Sequence, residues 1–147
     1  MRTTVADMLN FYAQIRRVYI SEFTRRFQES GFSPNELDIL LFLSNNPSIN
    51  TSSQLCTCLN VSKALICRSV DSLMERGFLT SSPDPKDRRV IHLFLTGQAD
   101  PVIEKLRGLH QELDTDLLHG ITQEELDQVQ RTLQKILKCF QEREKGE

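Results

Sequence analysis

Residues 51–77 of this 147-residue chain read TSSQLCTCLNVSKALICRSVDSLMERG. The first four letters form a capping box, which predicts a short helix that ends near Leu59. Asn60 follows, and asparagine is one of the few residues that tolerate left-handed backbone geometry. Ser62 is then placed to cap a second helix, which Gly77 closes. Two helices joined by a three-residue turn form the helix-turn-helix pattern.

Two short runs typical of β-strands come next, at residues 78–82 and 90–95. The intervening residues 83–89 read PDPKDRR and combine turn-forming residues with three cations. A β-hairpin, or wing, is therefore predicted directly after the helix-turn-helix. Together the two motifs predict a winged helix-turn-helix.

On the N-terminal side, residues 4–29 carry apolar side chains at steps of three and four, which predicts a long amphipathic helix. We expect Gly31 to end it. A capping box at Ser33 opens the next helix, which should stop before Pro47 because the residue preceding a proline avoids the α region.

On the C-terminal side, a fifth helix starts at Thr96 or at Asp100. Pro101 fits a helix capped by Asp100 but would strain one that began at Thr96. Gly120 should end this helix, and a capping box at Thr122 opens the last one.

The predicted fold is mainly α with a small β-hairpin wing. We predict three parts: an N-terminal dimerisation helix (1–32), a winged helix-turn-helix domain (33–96) and C-terminal dimerisation helices (97–147). The broad apolar stripes at both chain ends predict that two copies form a helical dimerisation domain. The expected assembly is a homodimer.

Net charge is −2, but the charges are unevenly distributed. Residues 62–90 contain six cations and four anions, whereas residues 91–147 contain seven cations and eleven anions. The central segment could therefore face phosphates despite the acidic total.

Several classes of protein are not expected. The chain has no apolar run long enough to span a membrane and no signal-peptide core, which predicts a cytoplasmic protein without membrane contact. It also lacks a Ser-His-Asp set, a metal-ligand cluster and a glycine-rich phosphate loop. We therefore expect no enzyme activity, no cofactor and no metal.

The helix at 62–76 is predicted to have two different faces. Leu65, Ile66, Val70, Leu73 and Met74 form its inner face. Small and cationic side chains remain for the other, as a helix that reads the major groove requires. They are Ser62, Lys63, Ala64, Cys67 and Arg68, and the acidic Asp71 lies on the same side. The alternative is an ordinary solvated helix face.

The wing tip contains Lys86, Asp87, Arg88 and Arg89. An arginine at a hairpin tip can enter the narrow, electronegative minor groove. Asp87 is spaced to pair with Arg89 and hold it in one orientation, so that less rotamer entropy is lost on binding. The alternative is a charged loop that only aids solubility.

From about residue 33 to residue 96 the chain resembles the MarR family of bacterial winged-helix transcription regulators. The resemblance depends on TSSQL at 51–55, VSK at 61–63, CRSVDSL at 67–73, ERGFL at 75–79 and DPKDRRV at 84–90, ending in LT at 95–96. It implies a homodimer built from the first, fifth and sixth helices, and Arg89 in the minor groove. It also implies repression that a phenolic or lipophilic ligand relieves.

We also predict an effector pocket on the first helix, lined by Phe11, Tyr12, Ile15 and Arg16. Aromatic walls with one cation suit a small aromatic carboxylate. The alternative is that these aromatic side chains belong to a core.

The leading hypothesis is a sequence-specific regulator of transcription, a ligand-responsive repressor that binds an inverted-repeat operator in double-stranded DNA as a homodimer. The alternative is a winged-helix protein-interaction module without specific DNA binding.

Overall fold

The structure is a computed structural model that describes residues 2–27 and 31–146. Its elements in chain order are α1 (Val5–Arg26), α2 (Pro34–Asn45), α3 (Ser52–Leu59), α4 (Lys63–Glu75), β1 (Leu79–Pro83), β2 (Ile91–Leu95), a 3₁₀ turn (Gly97–Ala99), α5 (Asp100–Leu117) and α6 (Gln123–Lys145). This order confirms the predicted fold, a mainly helical winged helix-turn-helix with a two-stranded antiparallel wing. No helix of the described residues is both long and apolar enough to cross a bilayer.

The turn between α3 and α4 follows the predicted cap chemistry. The Thr51 hydroxyl accepts a hydrogen bond from the Gln54 amide at 3.2 Å, and the Gln54 side chain accepts one from the Thr51 amide. Asn60 ends α3 in the left-handed conformation, at φ 53°. Ser62 then caps α4, its hydroxyl accepting from the Leu65 amide at 3.3 Å. Local sequence therefore fixes the geometry of the helix-turn-helix.

One hydrophobic core joins α2, α3, α4, both strands and the start of α5. Helix α4 contributes Ile66, Val70 and Leu73, which recur at steps of four and three and are buried. Leu65 and Met74 were predicted to share this inner face and do not, since 38% and 36% of their surface is exposed. Both lie at the edges of the narrow stripe that α4 turns toward the core.

A polar cluster fastens the C-terminal end of α4 to the start of α2. The buried Glu36 carboxylate accepts hydrogen bonds from the Ser72 hydroxyl at 3.1 Å and from Arg76 at 3.3 Å. Its other oxygen accepts from the Ser33 amide at 3.0 Å. The Arg76 guanidinium also lies 4.2 Å from the centre of the Phe32 ring. These bonds satisfy a buried charge and limit movement of α4.

The wing pairs Leu79 with Leu95 and Pro83 with Ile91, so each strand starts one residue later than predicted. Beyond the hairpin, the Leu93 amide donates to the Asn50 carbonyl at 2.8 Å. The edge of β2 is thus attached to the loop that precedes α3.

Helix α1 ends earlier than predicted, and α5 begins at one of the two positions predicted for it. Helix α1 ends at Arg26, and Phe27 has left the helix to stack on Phe23 with ring centres 5.9 Å apart. The prediction that α1 reaches residue 29 is therefore wrong at Phe27, and residues 28 and 29 lie outside the described residues. Of the two starts proposed for α5, the α-helix takes Asp100, which leaves Pro101 in the first turn.

The chain divides into two compact units, residues 1–113 and 114–147. The second contains α6, which opens on the predicted capping box at Thr122. None of the α6 residues is buried, and its apolar stripe is about half exposed at each of Val129, Leu133, Leu137 and Phe140. Helix α1, in the first unit, also has no buried residue. The division at residues 32/33 and 96/97 and the dimerisation domain stay predictions.

Substitutions at Asn60 test the left-handed turn. We expect Asn60→Gly to keep the free energy of unfolding within about 0.5 kcal/mol of the wild type, whereas Asn60→Val should lose about 1–2 kcal/mol, because a β-branched residue is strained at positive φ. Urea denaturation measures both. Equal stability of the two variants would contradict the role assigned to the turn.

Candidate functional site

The exposed face of α4 contains the residues that the sequence singled out. Lys63, Ala64, Cys67 and Arg68 are all exposed, and their spacing of one, four and five residues places them on one side of the helix. Ser62 is exposed at the helix start, where its hydroxyl caps the Leu65 amide. Within the described part of the chain, Lys63 and Arg68 form no ion pair. Both cations are therefore available to an external anion.

Asp84 organises the wing loop. One of its carboxylate oxygens accepts hydrogen bonds from the backbone amides of Lys86 at 2.8 Å and Asp87 at 3.1 Å. The other lies 2.8 Å from Nε2 of His92. The hydrogen bond from His92, followed by those from the two amides, holds the pKa of the Asp84 carboxyl below its usual value. Asp84 is therefore a stable anion around which the loop folds.

The wing tip presents Arg89 to solvent. The Asp87 carboxylate accepts hydrogen bonds from Nε of Arg89 at 3.1 Å and from Nη2 at 3.4 Å. The same carboxylate accepts from the Arg89 amide at 3.1 Å. Yet 91% of the Arg89 side chain is exposed. The predicted pairing is confirmed, and Lys86 and Arg88 are exposed beside it.

Sequence reasoning missed His92. Its ring bonds to Asp84 on one side and lies 2.7 Å from the Asn50 side-chain oxygen on the other. Asn50 is 42 residues away along the chain, so no local pattern marks this contact. The one available signal was a polar side chain within an otherwise apolar strand.

A separate cavity of about 430 Å³ lies within the first unit. Its lining comes from α1, α2 and α3, namely Tyr12, Ile15, Arg16, Tyr19, Ile20, Asp38, Cys58 and Leu59. Three of the four residues predicted for the pocket are among them. Phe11 is not, because it lies one residue before Tyr12, about 100° further around α1, and 62% of its surface is exposed.

The cavity contains polar groups from Tyr19, Arg16 and Asp38. The Tyr19 hydroxyl is within hydrogen-bond distance of Nδ1 of His110, at 2.6 Å, and the two rings are stacked. Arg16 and Asp38 bring opposite charges to the same cavity. Partial desolvation raises the pKa of the Asp38 carboxyl, and the positive charge of Arg16 acts in the opposite direction. Apolar and aromatic walls thus surround one cation and one carboxyl group.

The described residues do not form a metal site: no three His, Cys, Asp or Glu side chains among residues 2–27 and 31–146 come together as ligands. The four cysteines are free thiols. Cys56 packs against the core, whereas Cys58 is exposed at the cavity and Cys67 on the outer face of α4.

Comparison with known proteins finds a family model that matches part of this chain and solved structures with a similar fold. The model of the MarR family matches residues 30–90. The transcriptional regulator PA3341 is 27% identical, with a TM-score of 0.81 over 92% of this chain and 98% of that chain.

Two other structures share the fold at lower identity. BpsR of Bordetella bronchiseptica, whose DNA binding is regulated by 6-hydroxynicotinic acid, is 16% identical with a TM-score of 0.72, over 88% of this chain and 97% of that chain. CouR from Rhodococcus jostii RHA1, bound to p-coumaroyl-CoA, is 18% identical with a TM-score of 0.74, over 92% of this chain and 95% of that chain.

The lowered pKa of Asp84 predicts a pH-dependent contribution to stability. A carboxyl whose pKa is lower in the folded state stabilises the protein above its unfolded pKa, and this contribution is lost as the pH falls through the folded value. Asp84→Asn should therefore be less stable than the wild type near neutral pH, and the difference should shrink in acid. Urea unfolding at a series of pH values measures it.

Asp71→Asn is the matched control, because Asp71 is exposed on α4 and makes no hydrogen bond within the described residues. It should show no such difference in unfolding free energy. A pH-independent loss of stability in Asp84→Asn would contradict the assignment.

Proposed function

Because this chain belongs to the MarR family of winged-helix transcription regulators, we propose that it binds double-stranded DNA in a sequence-specific manner and represses transcription until a small ligand binds. The observation that carries the proposal is the pair of exposed cationic elements in one unit. One is the outer face of α4, and the other is the wing tip that presents Arg89.

The outer face of α4 suits the major groove. Ala64 and Cys67 are small, so they allow the helix to approach base edges closely. Arg68 on the next turn can donate two parallel hydrogen bonds to a guanine or pair with a phosphate. Lys63 at the helix start adds a cation where the helix N-terminus already favours a phosphate.

The wing suits the minor groove. Asp87 holds the Arg89 guanidinium in a defined position while leaving it in solvent. Such an arginine is drawn to the negative potential of a narrow minor groove. Lys86 and Arg88 flank it and can contact phosphates.

We propose a homodimer as the binding species. Helix α6 exposes a continuous apolar stripe through Val129, Leu133 and Leu137, and α1 exposes Leu9 and Phe11. Apolar stripes of this kind are normally covered in solution. Two-fold symmetry then requires an inverted-repeat operator with half-sites about one helical turn apart.

We propose the cavity as the effector site. Tyr12 and Ile15 offer an apolar and aromatic wall, and Arg16 offers a cation. This combination suits a small aromatic carboxylate, the chemical class of the acid that regulates BpsR.

The first functional prediction concerns the wing. Arg89→Ala should weaken binding to every duplex, because one phosphate or minor-groove contact is lost. For the same reason, the fall of log affinity with log salt concentration should become less steep, by about one unit of slope. Arg68→Ala should instead weaken binding to a preferred sequence more than to mixed genomic DNA. Fluorescence anisotropy over a salt series measures both.

Lys135→Ala on α6 is the control, because it removes an exposed cation outside the winged domain and should leave affinity and slope unchanged. An Arg89→Ala protein with wild-type affinity and slope would remove Arg89 from the interface. A wild type that binds no duplex at low salt would contradict DNA binding and favour the protein-interaction alternative.

The second functional prediction concerns the cavity. Arg16→Ala should weaken binding of a small aromatic carboxylate such as 6-hydroxynicotinate by about tenfold or more, the scale of one hydrogen bond to a charged group. Isothermal titration calorimetry measures the affinity directly.

Arg17→Ala provides the matched control, because the neighbouring arginine is exposed and is not among the cavity residues. It should keep the wild-type affinity. Equal weakening in both variants would indicate a nonspecific charge effect and contradict the proposed contact.

A further inference from the structure

The ring of His92 is held between two hydrogen-bond acceptors at the base of the wing. Nδ1 lies 2.7 Å from the Asn50 side-chain oxygen, and Nε2 lies 2.8 Å from an Asp84 carboxylate oxygen. The Asn50 contact reaches the loop before α3, and the Asp84 contact reaches the wing loop. One imidazole thus connects the wing to the helix-turn-helix.

The orientation of the Asn50 amide is fixed by a second bond. Its nitrogen donates to the Leu93 carbonyl at 3.1 Å, and the whole residue is buried, with 4% of its surface exposed. A flipped amide would set its oxygen against that carbonyl oxygen. The Asn50 oxygen therefore faces His92, and Nδ1 of His92 must be the donor.

The other neighbour is also an acceptor. Asp84 already accepts two backbone amides through its first oxygen. The hydrogen bond from His92, followed by those from the amides, holds the pKa of its carboxyl low. An ionised carboxylate can only accept hydrogen bonds. Nε2 of His92 must therefore donate as well. Imidazole donates from both nitrogens only in its protonated form.

We propose that protonated His92 is a positioning residue for the wing, and that DNA affinity falls as His92 loses its proton. The proposal rests on the proposed DNA-binding function. The connection runs from Asn50 through His92 to Asp84, whose carboxylate orders the amide of Asp87. Asp87 in turn holds Arg89.

Loss of the proton leaves the ring one N–H for two acceptors. Either the contact to Asn50 or the contact to Asp84 then loses its donor, so the imidazole no longer connects Asn50 to Asp84, and the backbone bond from Leu93 to the Asn50 carbonyl remains. Asp84 is the charged side chain that bonds the ring within the described residues. The two residues that pair with His92 through the backbone, Ser82 in β1 and Thr51 before α3, are uncharged. Histidine is the side chain that ordinarily titrates near physiological pH.

The first experiment follows the wing without DNA. An NMR pH titration of the full chain records the His92 ring and the backbone amides of Lys86, Asp87 and Leu93, with the His92 signals assigned from their absence in His92→Gln. We expect the three amides to shift in step with the ring. The proposal would be overturned if the amide signals stayed in place while the ring signals shifted. This experiment uses His92→Gln only to assign the ring signals.

The second experiment measures DNA affinity at constant ionic strength between about pH 6 and pH 8, the range in which histidine changes charge. Wild-type affinity for one duplex should fall about threefold to tenfold as the pH rises, the scale of one partly exposed charge-assisted hydrogen bond. His92→Gln should bind with the weaker affinity at both ends of the range. His119→Gln, the matched control outside the wing, should keep the wild-type pH dependence.

A third variant distinguishes the contact of His92 with Asn50 from its pair with Asp84. Asn50→Ala keeps the pair of His92 with the Asp84 carboxylate and the backbone bond from the Leu93 amide, but it removes the side-chain contact of His92 with the loop before α3. It should lose most of the pH dependence, and full retention would overturn the positioning role. Absence of DNA binding at every pH would overturn the proposed function itself, whereas equally tight wild-type binding across the range would overturn the role of His92 alone.

Discussion

Burial of one narrow apolar stripe on α4 determines what the opposite face of that helix can do. Ile66 and Leu73 are completely buried, and each such side chain contributes about 1.5–3 kcal/mol. An α-helix repeats every 3.6 residues, so burying these positions turns Arg68 toward solvent, whereas Lys63 is exposed as the first residue of the helix. The same core therefore stabilises the domain and sets the direction in which its cations point. Fastening Arg76 to Glu36 at the far end of α4 fixes that direction further.

Two aspartates in the wing loop have different physical tasks. Asp84 turns inward, accepts two backbone amides and meets His92, so its charge is used to build the loop. Asp87 turns toward Arg89 and orders a guanidinium that stays in solvent. A flexible arginine would lose more rotamer entropy on binding than one already held by a carboxylate. Substitution of Asp84 should therefore act on the fold of the wing loop, whereas substitution of Asp87 should act on the orientation of Arg89.

Sequence alone predicts the parts of this molecule that local chemistry controls. The capping boxes at Ser33, Thr51 and Thr122 and the left-handed Asn60 all follow from contacts within a few residues. A box at Thr4 escaped notice because aspartate replaces the usual glutamate or glutamine three residues on. The burial limits of α4 were less predictable, because Leu65 is as apolar as Leu73 and only tertiary packing distinguishes them.

Contacts over long sequence distances account for the rest. His92 meets Asn50 across 42 residues, and Tyr19 meets His110 across 91. The cavity shows the same limit: helical spacing predicted a pocket at Tyr12 and Arg16 on α1, which line the cavity, but Asp38 comes from α2 and has no local signal. The proposed homodimer and the proposed DNA partner rest on the family resemblance, because contacts within one chain do not reveal them.

The position of the cavity would give the proposed ligand a short physical route to the proposed DNA-binding surface. A ligand alters DNA affinity only by binding two arrangements of the protein with different affinities. Cys58 and Leu59 line the cavity from the last turn of α3, and Asn60 and Ser62 follow at once as the turn that caps α4. An occupant of the cavity thus contacts the helix-turn-helix itself. Coupling then requires no chain of intermediate residues, only a change in where α1 and the end of α3 settle around the ligand.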